Sequence, residues 1–418
     1  MRNPALASRV LLPGHPAQSF ARAASEAFLA YALVISTGAV LPLLAMGSSD
    51  ALSAEDSALL RLALLPLLVV TPLLALAHGR AILGALLDTP LLPLLVLLVA
   101  ASTIWSVLPA ISARRALAFA TFSLLAVILA VRWSPRELVE RLLWLALVVV
   151  AVSLAFQLAL PDLSRMSDGA WRGAFTHKNG LGHVSSFAIV ILLVGWRHRL
   201  APRALVALGL LAAVLLLIAS RSATSLVVTA LAAGLFLLLG RGGLPPAAKA
   251  ALVSLAVAAL ALLGLWVLLE PEAAVALLGR DLTFTGRLPL WEHVLARIAE
   301  RPWTGWGYQA YWAVPAFADY VMLTLGWPAP NAHSGYLDVA LGLGWPGLLL
   351  ALLLLAQALV RALRTLASGD RVLGETALLL VVALLVRNLS ESELLQQSGL
   401  LWLLLATLLL RTRPVPRS

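Results

Sequence analysis

The sequence contains no cysteine, and only 12% of its 418 residues are charged. Without cysteine the protein has no disulfide, no thiolate metal ligand and no thiol nucleophile. The few charges stand beside 61% hydrophobic residues, far from the composition of a soluble globular protein. No Walker A motif is present, so ATP-driven transport has no support in the sequence.

Long apolar runs fill most of the chain, each close to the roughly 17–25 residues that cross a bilayer as a helix. In lipid the backbone must satisfy its own hydrogen bonds, which favours a helical bundle. We predict an all-α polytopic membrane protein, GT-C-like, forming a single integral membrane domain over residues 1–418. The sequence predicts about twelve spans, at residues 25–46, 59–77, 89–107, 115–131, 142–160, 180–196, 203–219, 223–240, 248–269, 336–360, 373–389 and 396–411.

The net charge of +10 follows from topology and does not indicate a nucleic-acid partner. Most Lys and Arg residues lie in short loops that share one side when both termini are cytoplasmic, as the positive-inside rule expects. Arg2, Arg9 and Arg22 precede the first apolar run, which we interpret as a retained first helix. We therefore expect a multi-pass protein of the bacterial inner membrane, surrounded by membrane lipids.

A long polar loop, residues 270–335, separates the ninth and tenth predicted spans and falls on the periplasmic side. Within it, Trp291, Val294, Leu295 and Ile298 recur at helical spacing and predict an amphipathic helix. This helix either lies along the membrane interface with Trp291 as an anchor, or packs on top of the bundle. We predict that this loop carries the active site.

Three polar segments on the predicted outer side supply cations: residues 171–182, 219–225 and the large loop. Arg172, Lys178, Arg221 and Arg287 occur there, against the usual topological bias. A guanidinium binds phosphate oxygens in pairs and keeps its charge at physiological pH. These cations therefore suit a phosphate or diphosphate at headgroup depth, although an arginine such as Arg221 also snorkels to the interface for purely structural reasons.

Histidine is the side chain that exchanges a proton most readily near neutral pH. His333 is the strongest candidate, because it sits beside Ser334 at the start of a predicted span in a glycine-rich run. His177 is a weaker one, and Asn179 has a structural alternative as the N-cap of the sixth span. The sequence shows no outer His-x-x-x-His or Asp-x-Asp motif, so we expect neither a metal nor another cofactor.

Several motifs together resemble a known family. His333-Ser334, nine residues, Gly344, two residues and Gly347 match a signature of bacterial O-antigen ligases. The large loop and the residues after it are also similar to exopolysaccharide polymerases in the same superfamily. The motifs that carry this similarity are Thr285-Gly286-Arg287 with Trp291, Arg301-Pro302, Gly305-x-Gly307-Tyr308, and His333-Ser334-Gly335-Tyr336-Leu337-Asp338. The segments 172–179 and 388–392 resemble the family's other outer loops.

The resemblance implies a glycosyltransferase that takes a glycan from an undecaprenyl-diphosphate carrier on the periplasmic face. It implies that Arg172, Arg221 and Arg287, with Lys178 beside them, hold the diphosphate, and that His333 positions or deprotonates the acceptor hydroxyl. It also implies an inverting, metal-independent reaction. The supporting residues expected around this site are His177, Asn179, Ser334, Tyr336, Asp338 and Arg301.

The acceptor remains open between a second lipid-linked glycan, as in a polymerase, and lipid A core, as in a ligase. Ligases often show Arg-x-x-x-Leu near the catalytic loop, whereas Arg287 is followed by Leu-Pro-Leu-Trp, which favours a polymerase. A polymerase could also work with a chain-length regulator protein. A transporter for lipid-linked glycans is the alternative of another class, and it needs cations lining a cavity within the spans.

Overall fold

The structure is a computed structural model that describes residues 16–45, 58–242, 245, 248–249, 251–252, 255, 287–326 and 329–412. Within these residues the regular structure is helical, and the one extended pairing is an isolated bridge between Arg165 and Trp171. The predicted all-α class is confirmed for the described part of the chain. The ninth predicted span and the large loop up to residue 286 lie largely outside it.

The helices of the described residues are, in chain order, α1 Pro16–Ser36, α2 Leu41–Ala45, α3 Ala58–Ala77, α4 Gly79–Leu87, α5 Leu91–Ala101, α6 Pro109–Arg132, α7 Pro135–Ala159, α8 Lys178–His198, α9 Arg203–Ala219, α10 Ala223–Gly240, α11 Arg287–Glu300, α12 Pro315–Leu325, α13 Gly335–Ala367, α14 Arg371–Arg387 and α15 Leu400–Arg411. Short 3-10 helices occupy Ser102–Ile104 and Tyr311–Ala313. Proline begins α6, α7 and α12, where its missing N–H costs no helical hydrogen bond.

Several helices are long and apolar enough to cross a bilayer. Among the described residues these are α3, α6, α7, α8, α10 and α13, and a seventh span forms if α4 and the helix after it count as one pair bent by 94°. Helices α9 and α15 are apolar but shorter. The protein is therefore a multi-pass membrane protein, while the count of about twelve spans stays a prediction.

Besides α9 and α15, two further predicted spans correspond to helices that do not meet this criterion of length and apolarity. The first overlaps α1, and the eleventh overlaps α14, which has 17 residues and carries charged side chains. Glu375 and Arg387 of α14 are each only 3% exposed, so protein rather than lipid surrounds them. Helix α14 is thus an internal helix of the bundle, which explains how it tolerates charge.

Helix α8 lies at the centre of the bundle, and 72% of its apolar membrane-span stretch is buried inside the protein. Small residues allow its neighbours to approach closely: a Cβ at Gly195 would lie 2.3 Å from the Leu143 side chain, and one at Gly209 of α9 would lie 2.5 Å from Leu147. Small residues are the usual contact points between helices in lipid, where packing replaces the hydrophobic effect. Peripheral helix α3, by contrast, is only 11% buried and turns its leucines outward.

The polar segments between helices meet at one end of the bundle, which we call the loop end. It comprises residues 160–177, 219–222, 287–335 and 388–399. Backbone hydrogen bonds join these segments, from Trp171 N–H to Ala219 O at 2.9 Å and from Gly335 N–H to Asn388 O at 3.0 Å. The three segments that the sequence singled out therefore come together in space.

Helix α13 is broken at Gly344, whose φ of 69° and ψ of −174° lie outside the helical region. Pro346 has no N–H to offer to Gly342 O, and Gly307 N–H donates to that oxygen instead, at 3.0 Å. Trp345 N–H turns away to Pro302 O at 2.8 Å, which leaves Leu341 O to accept from Trp306 N–H at 2.9 Å. The break therefore creates the acceptors that hold residues 302–307 against the helix.

This contact requires glycine at three positions. A Cβ at Gly344 would lie 2.7 Å from Pro302 O, one at Gly305 would lie 2.5 Å from the Gly342 carbonyl carbon, and one at Gly307 would lie 2.2 Å from Ser106 Oγ. All three glycines also have positive φ. The Gly-x-Gly run of the large loop and the first glycine of the His-Ser-x9-Gly-x-x-Gly signature are thus two halves of one structural contact.

We expect Gly344→Ala to destabilise the protein, because only glycine adopts this backbone conformation without strain of about 1–3 kcal/mol. The thermal unfolding temperature in detergent should fall, and residues 302–307 should become more accessible to proteases. Gly234→Ala in α10 is the matched control, since nothing lies within 4 Å of its added Cβ. Equal melting of the two variants would show that the break does not depend on glycine.

Candidate functional site

The amphipathic helix predicted in the large loop is α11, and it packs on the bundle. Its buried side chains are Leu290, Trp291, Val294 and Ile298, while Leu295 is 42% exposed. The prediction was correct for three residues and wrong for Leu295, because the contact face turns toward Leu290. Trp291 is only 4% exposed and is not an interfacial anchor. The second alternative, a helix packed on top of the bundle, is the observed one.

His333 directly precedes α13 and adopts a left-handed backbone conformation, with φ of 48°. Its N–H donates to Asn331 Oδ1 at 2.9 Å. Two residues on, Gly335 N–H donates to Asn388 O at 3.0 Å and to Glu391 O at 2.9 Å. A Cβ at Gly335 would lie 2.0 Å from Asn388 Oδ1, so this close approach again needs glycine. The loop between α14 and α15 therefore fixes the backbone that carries His333.

Asp338, in the first turn of α13, holds the other side of the same segment. Its carboxylate accepts from Ala332 N–H at 3.1 Å and from Trp312 Nε1 at 2.8 Å. The neighbouring supporting residues have structural contacts: Ser334 donates to Asn388 O at 3.4 Å, and the Tyr336 hydroxyl donates to Leu385 O at 2.8 Å. These three side chains thus organise the start of α13.

Arg287, the first residue of α11, points its guanidinium at the loop after α14. Nη1 donates to Ser390 O at 2.7 Å, and Nη2 lies 3.7 Å from the Glu391 carboxylate. Burial lowers the pKa of Arg287, and Glu391 opposes that shift. Because an arginine starts from so high a pKa, it remains charged at physiological pH. The site therefore keeps a partly buried cation.

His333 lies within the electrostatic influence of Arg287. Burial lowers the pKa of His333 to about 4, and the nearby Arg287 and His177 act in the same direction. At neutral pH the imidazole is therefore uncharged and able to accept a proton. A half-buried neutral histidine thus lies within the electrostatic reach of a half-buried cation.

The cations of the first two segments meet around Asp168. Lys178 Nζ lies 2.6 Å from the Asp168 carboxylate, and Arg221 Nη1 donates to Asp168 O at 3.0 Å. The hydrogen bond from Lys178 is the main reason that the pKa of Asp168 is lowered. Arg172 donates from Nε to Leu163 O at 2.8 Å and so shapes the same loop. These three predicted anion-binding residues therefore lie close together.

The N-cap of α8 is His177 and not Asn179 as one alternative held. His177 Nδ1 accepts from Asn179 N–H at 3.2 Å. The Asn179 side chain does not cap the helix, and its amide instead donates to Glu391 Oε1 at 3.1 Å. Since Glu391 also pairs with Arg287, Asn179 joins the first polar segment to the large loop. The second segment contacts the loop between α14 and α15 through Thr224 Oγ1, 3.1 Å from Ser390 Oγ.

Arg301 lies with the aromatic side chains of the large loop. Its guanidinium carbon is 4.3 Å from the centre of the Trp306 ring, and its carbonyl accepts from Gly305 N–H at 2.9 Å. Arg301 therefore supports the contact between residues 302–307 and the broken helix.

The sequence reasoning assigned no role to the two glutamates of the last loop. Glu391 binds Arg287 and Asn179 through its side chain and Gly335 through its carbonyl. Glu393 lies 2.6 Å from His183 Nδ1, and this pairing helps to lower its pKa against the opposing effect of burial. The available signal in the sequence was a pair of carboxylates in a short loop, Glu391 and Glu393, that could pair with the arginines of the other polar segments.

No group of three His, Asp or Glu side chains among the described residues is placed to hold a metal ion.

Similarity to known proteins agrees with these motifs. Residues 206–352 match the family described as O-Antigen ligase. The chain is also 31% identical over 312 residues to the Exopolysaccharide production protein ExoQ of Rhizobium meliloti (strain 1021), an alignment that covers 70% of this chain and 69% of that protein. The family match includes Arg221, Arg287 and His333.

We expect His333 to titrate near pH 4, well below its usual 6.5, because of its burial and the adjacent Arg287. Histidine-selective ¹³C NMR in nanodiscs measures this, with the resonance assigned by its loss in His333→Gln. In Arg287→Gln the pKa should rise, since a neighbouring positive charge is removed. An unchanged titration in that variant would show that Arg287 and His333 do not interact.

Proposed function

This chain belongs to the O-antigen ligase and exopolysaccharide polymerase superfamily, and we propose that it transfers a glycan from undecaprenyl diphosphate to a sugar hydroxyl. The reaction takes place on the periplasmic face of the bacterial inner membrane. The acceptor is a second lipid-linked glycan, so the product is a lengthened exopolysaccharide or O-antigen chain. Both termini are cytoplasmic, and residues 270–335 form the periplasmic catalytic loop.

One observation carries this proposal: Arg287, beside His333, is joined through Glu391 and Asn179 to the segment where Lys178 and Arg221 meet at Asp168. A diphosphate leaving group needs cations, and an acceptor hydroxyl needs a proton acceptor. The two requirements are met by separate segments that meet at the loop between α14 and α15. A transporter would have no use for a proton acceptor.

The donor diphosphate is bound by Arg172, Lys178, Arg221 and Arg287. When the bond between the anomeric carbon and the diphosphate oxygen breaks, the electron pair stays on that oxygen. Positive groups already oriented toward it stabilise the developing charge without further rearrangement. Asp168 and Glu391 keep these cations in place before the donor binds.

The acceptor hydroxyl oxygen attacks the anomeric carbon from the face opposite the diphosphate, so the configuration at that carbon inverts. The hydroxyl proton passes to a ring nitrogen of His333. Atoms balance without a metal or another cofactor: one C–O bond forms, one breaks, and the proton moves to the imidazole. Ser334, Tyr336 and Asp338 support the helix that begins beside it.

A pKa of about 4 makes His333 a weak base in the free protein. Binding of the anionic donor offsets the charge of Arg287, one of the groups that lower this pKa. A nearby anion also favours the imidazolium form directly. The donor therefore strengthens the base that activates the acceptor, which couples the two halves of the reaction.

The choice of polymerase rests on the Arg287-Leu-Pro-Leu-Trp291 sequence and on the similarity to an exopolysaccharide production protein. A chain-length regulator is a possible partner of such a polymerase. The match to the O-Antigen ligase family supports a second candidate, transfer of the polymer to lipid A core.

We expect Arg287→Ala and His333→Ala to abolish polymer formation while the protein accumulates normally. Removal of a charge-stabilising or proton-accepting group typically costs about 10²–10⁴-fold in rate. Arg136→Ala is the matched control, because Arg136 is an exposed arginine paired with Glu140 within α7, outside the loop end. Full-length polymer from either site variant would refute the assignment.

The reaction itself is measured with purified protein and undecaprenyl-diphosphate-linked repeat units in the presence of EDTA, with and without lipid A core. A ladder of products without lipid A core identifies a polymerase. Product that forms only with lipid A core identifies a ligase. Absence of product in both, with folded protein and a verified donor, would favour the transporter.

The pH dependence of the rate should report His333. Its neutral form is the active one, so kcat/KM should stay flat through neutral pH and fall as pH drops through about 4. The acid limb of kcat should lie at higher pH, because the bound diphosphate raises the pKa of the imidazole. Coincident acid limbs would contradict the proposed coupling of donor and base.

A further inference from the structure

Ala332, the residue just before His333, is held by hydrogen bonds at both its N–H and its carbonyl oxygen. Asp338 accepts from Ala332 N–H at 3.1 Å, and Trp291 Nε1 donates to Ala332 O at 2.8 Å. Ala332 itself is fully buried. Both polar groups of this residue are therefore satisfied by side chains, one from α13 and one from α11.

Trp291 lies one turn after Arg287 on the same helix. Residues four apart project from one face of a helix, separated by about 6 Å along its axis. The Trp291 ring is 4% exposed and packs in a cluster with Leu290, Val294 and Ala340. Helix α11 thus carries the cation Arg287 and, one turn later, Trp291, which donates to the carbonyl of the residue before His333.

We infer that Trp291 is a positioning residue that sets His333 relative to Arg287 by holding the carbonyl of Ala332, while Asp338 holds the N–H of the same residue. This inference rests on the proposed function and adds a residue to it that touches neither substrate. Its role is geometric, because its contact is to the backbone adjacent to His333.

The backbone conformation gives this contact its importance. A non-glycine residue with φ near +50° is uncommon and persists only where its surroundings hold it. His333 has φ of 48°, and the hydrogen bonds to Ala332 are adjacent to it. Without the indole N–H, Ala332 O loses its partner and His333 is free to move away from the donor.

The test is Trp291→Phe, which keeps an aromatic ring and removes the N–H donor. We expect kcat to fall about 10- to 100-fold, since a displacement near 1 Å costs that much, while KM for the lipid-linked donor stays unchanged. The acid limb of the pH profile should also shift upward as His333 gains solvent. A loss of stability alone would not lower kcat at unchanged KM, and it would not shift the pH profile.

Trp306→Phe is the matched control. Trp306 is 7% exposed in the same cluster, and its Nε1 donates to Arg297 O at 2.9 Å. The variant loses a buried indole hydrogen bond of the same kind on a carbonyl far along the chain from His333. We expect similar melting of both variants, with near-normal kcat in Trp306→Phe. Equal kcat in the two variants would overturn the inference.

If Trp291→Phe does not fold, 3-benzothienylalanine placed at position 291 replaces the N–H by sulfur with almost no change of shape. The same kcat loss is expected from it, and normal kcat would overturn the inference. The NMR titration of His333 tests the positioning role independently of the reaction. A raised pKa of His333 in the Trp291 variants, but not in Trp306→Phe, supports the positioning role even if no polymer forms. Inactive wild-type protein would then refute the proposed function and leave the positioning role standing.

Discussion

The pairing of residues 302–307 with the broken helix α13 is the constraint on which the loop end depends. Gly344 and Pro346 release the carbonyls of Leu341 and Gly342 from the helix, and the large loop supplies the missing N–H groups. Buried backbone N–H and C=O groups are almost always paired, so this exchange fixes both partners at once. The start of α13, which follows His333, is thereby locked to α11.

A second network sits on this frame and is electrostatic. Glu391 links Arg287 with Asn179, and Asp168 links Lys178 with Arg221, so each cation is held by an acidic side chain or its backbone. Burial lowers the pKa of both Arg287 and His333, but their charges at neutral pH differ. Arg287 stays charged because its intrinsic pKa is so high, whereas His333 is neutral.

Tryptophan and glycine divide the structural work between them. Indole N–H groups of Trp291 and Trp312 donate to acceptors near His333 in the chain. Glycines at 305 and 344 allow close approach of backbone, and those at 307 and 335 allow close approach of the Ser106 and Asn388 side chains. The family signature in this chain is therefore only partly chemical. His333 is a candidate reactive group, and Gly344 is needed for the geometry that places it.

The sequence by itself determined the helical membrane class, because composition and helical periodicity are local properties. It also predicted roles for Arg287 and His333, from the chemistry of their side chains and their resemblance to family motifs. It did not identify Glu391 as a link, His177 as the N-cap, or Leu290 rather than Leu295 as the buried face. Only the tertiary structure decided these, since Asn179 and Glu391 are 212 residues apart and Arg287 and Ser390 are 103 apart. Contacts at such separations depend on how the helices pack, and no short pattern records that packing.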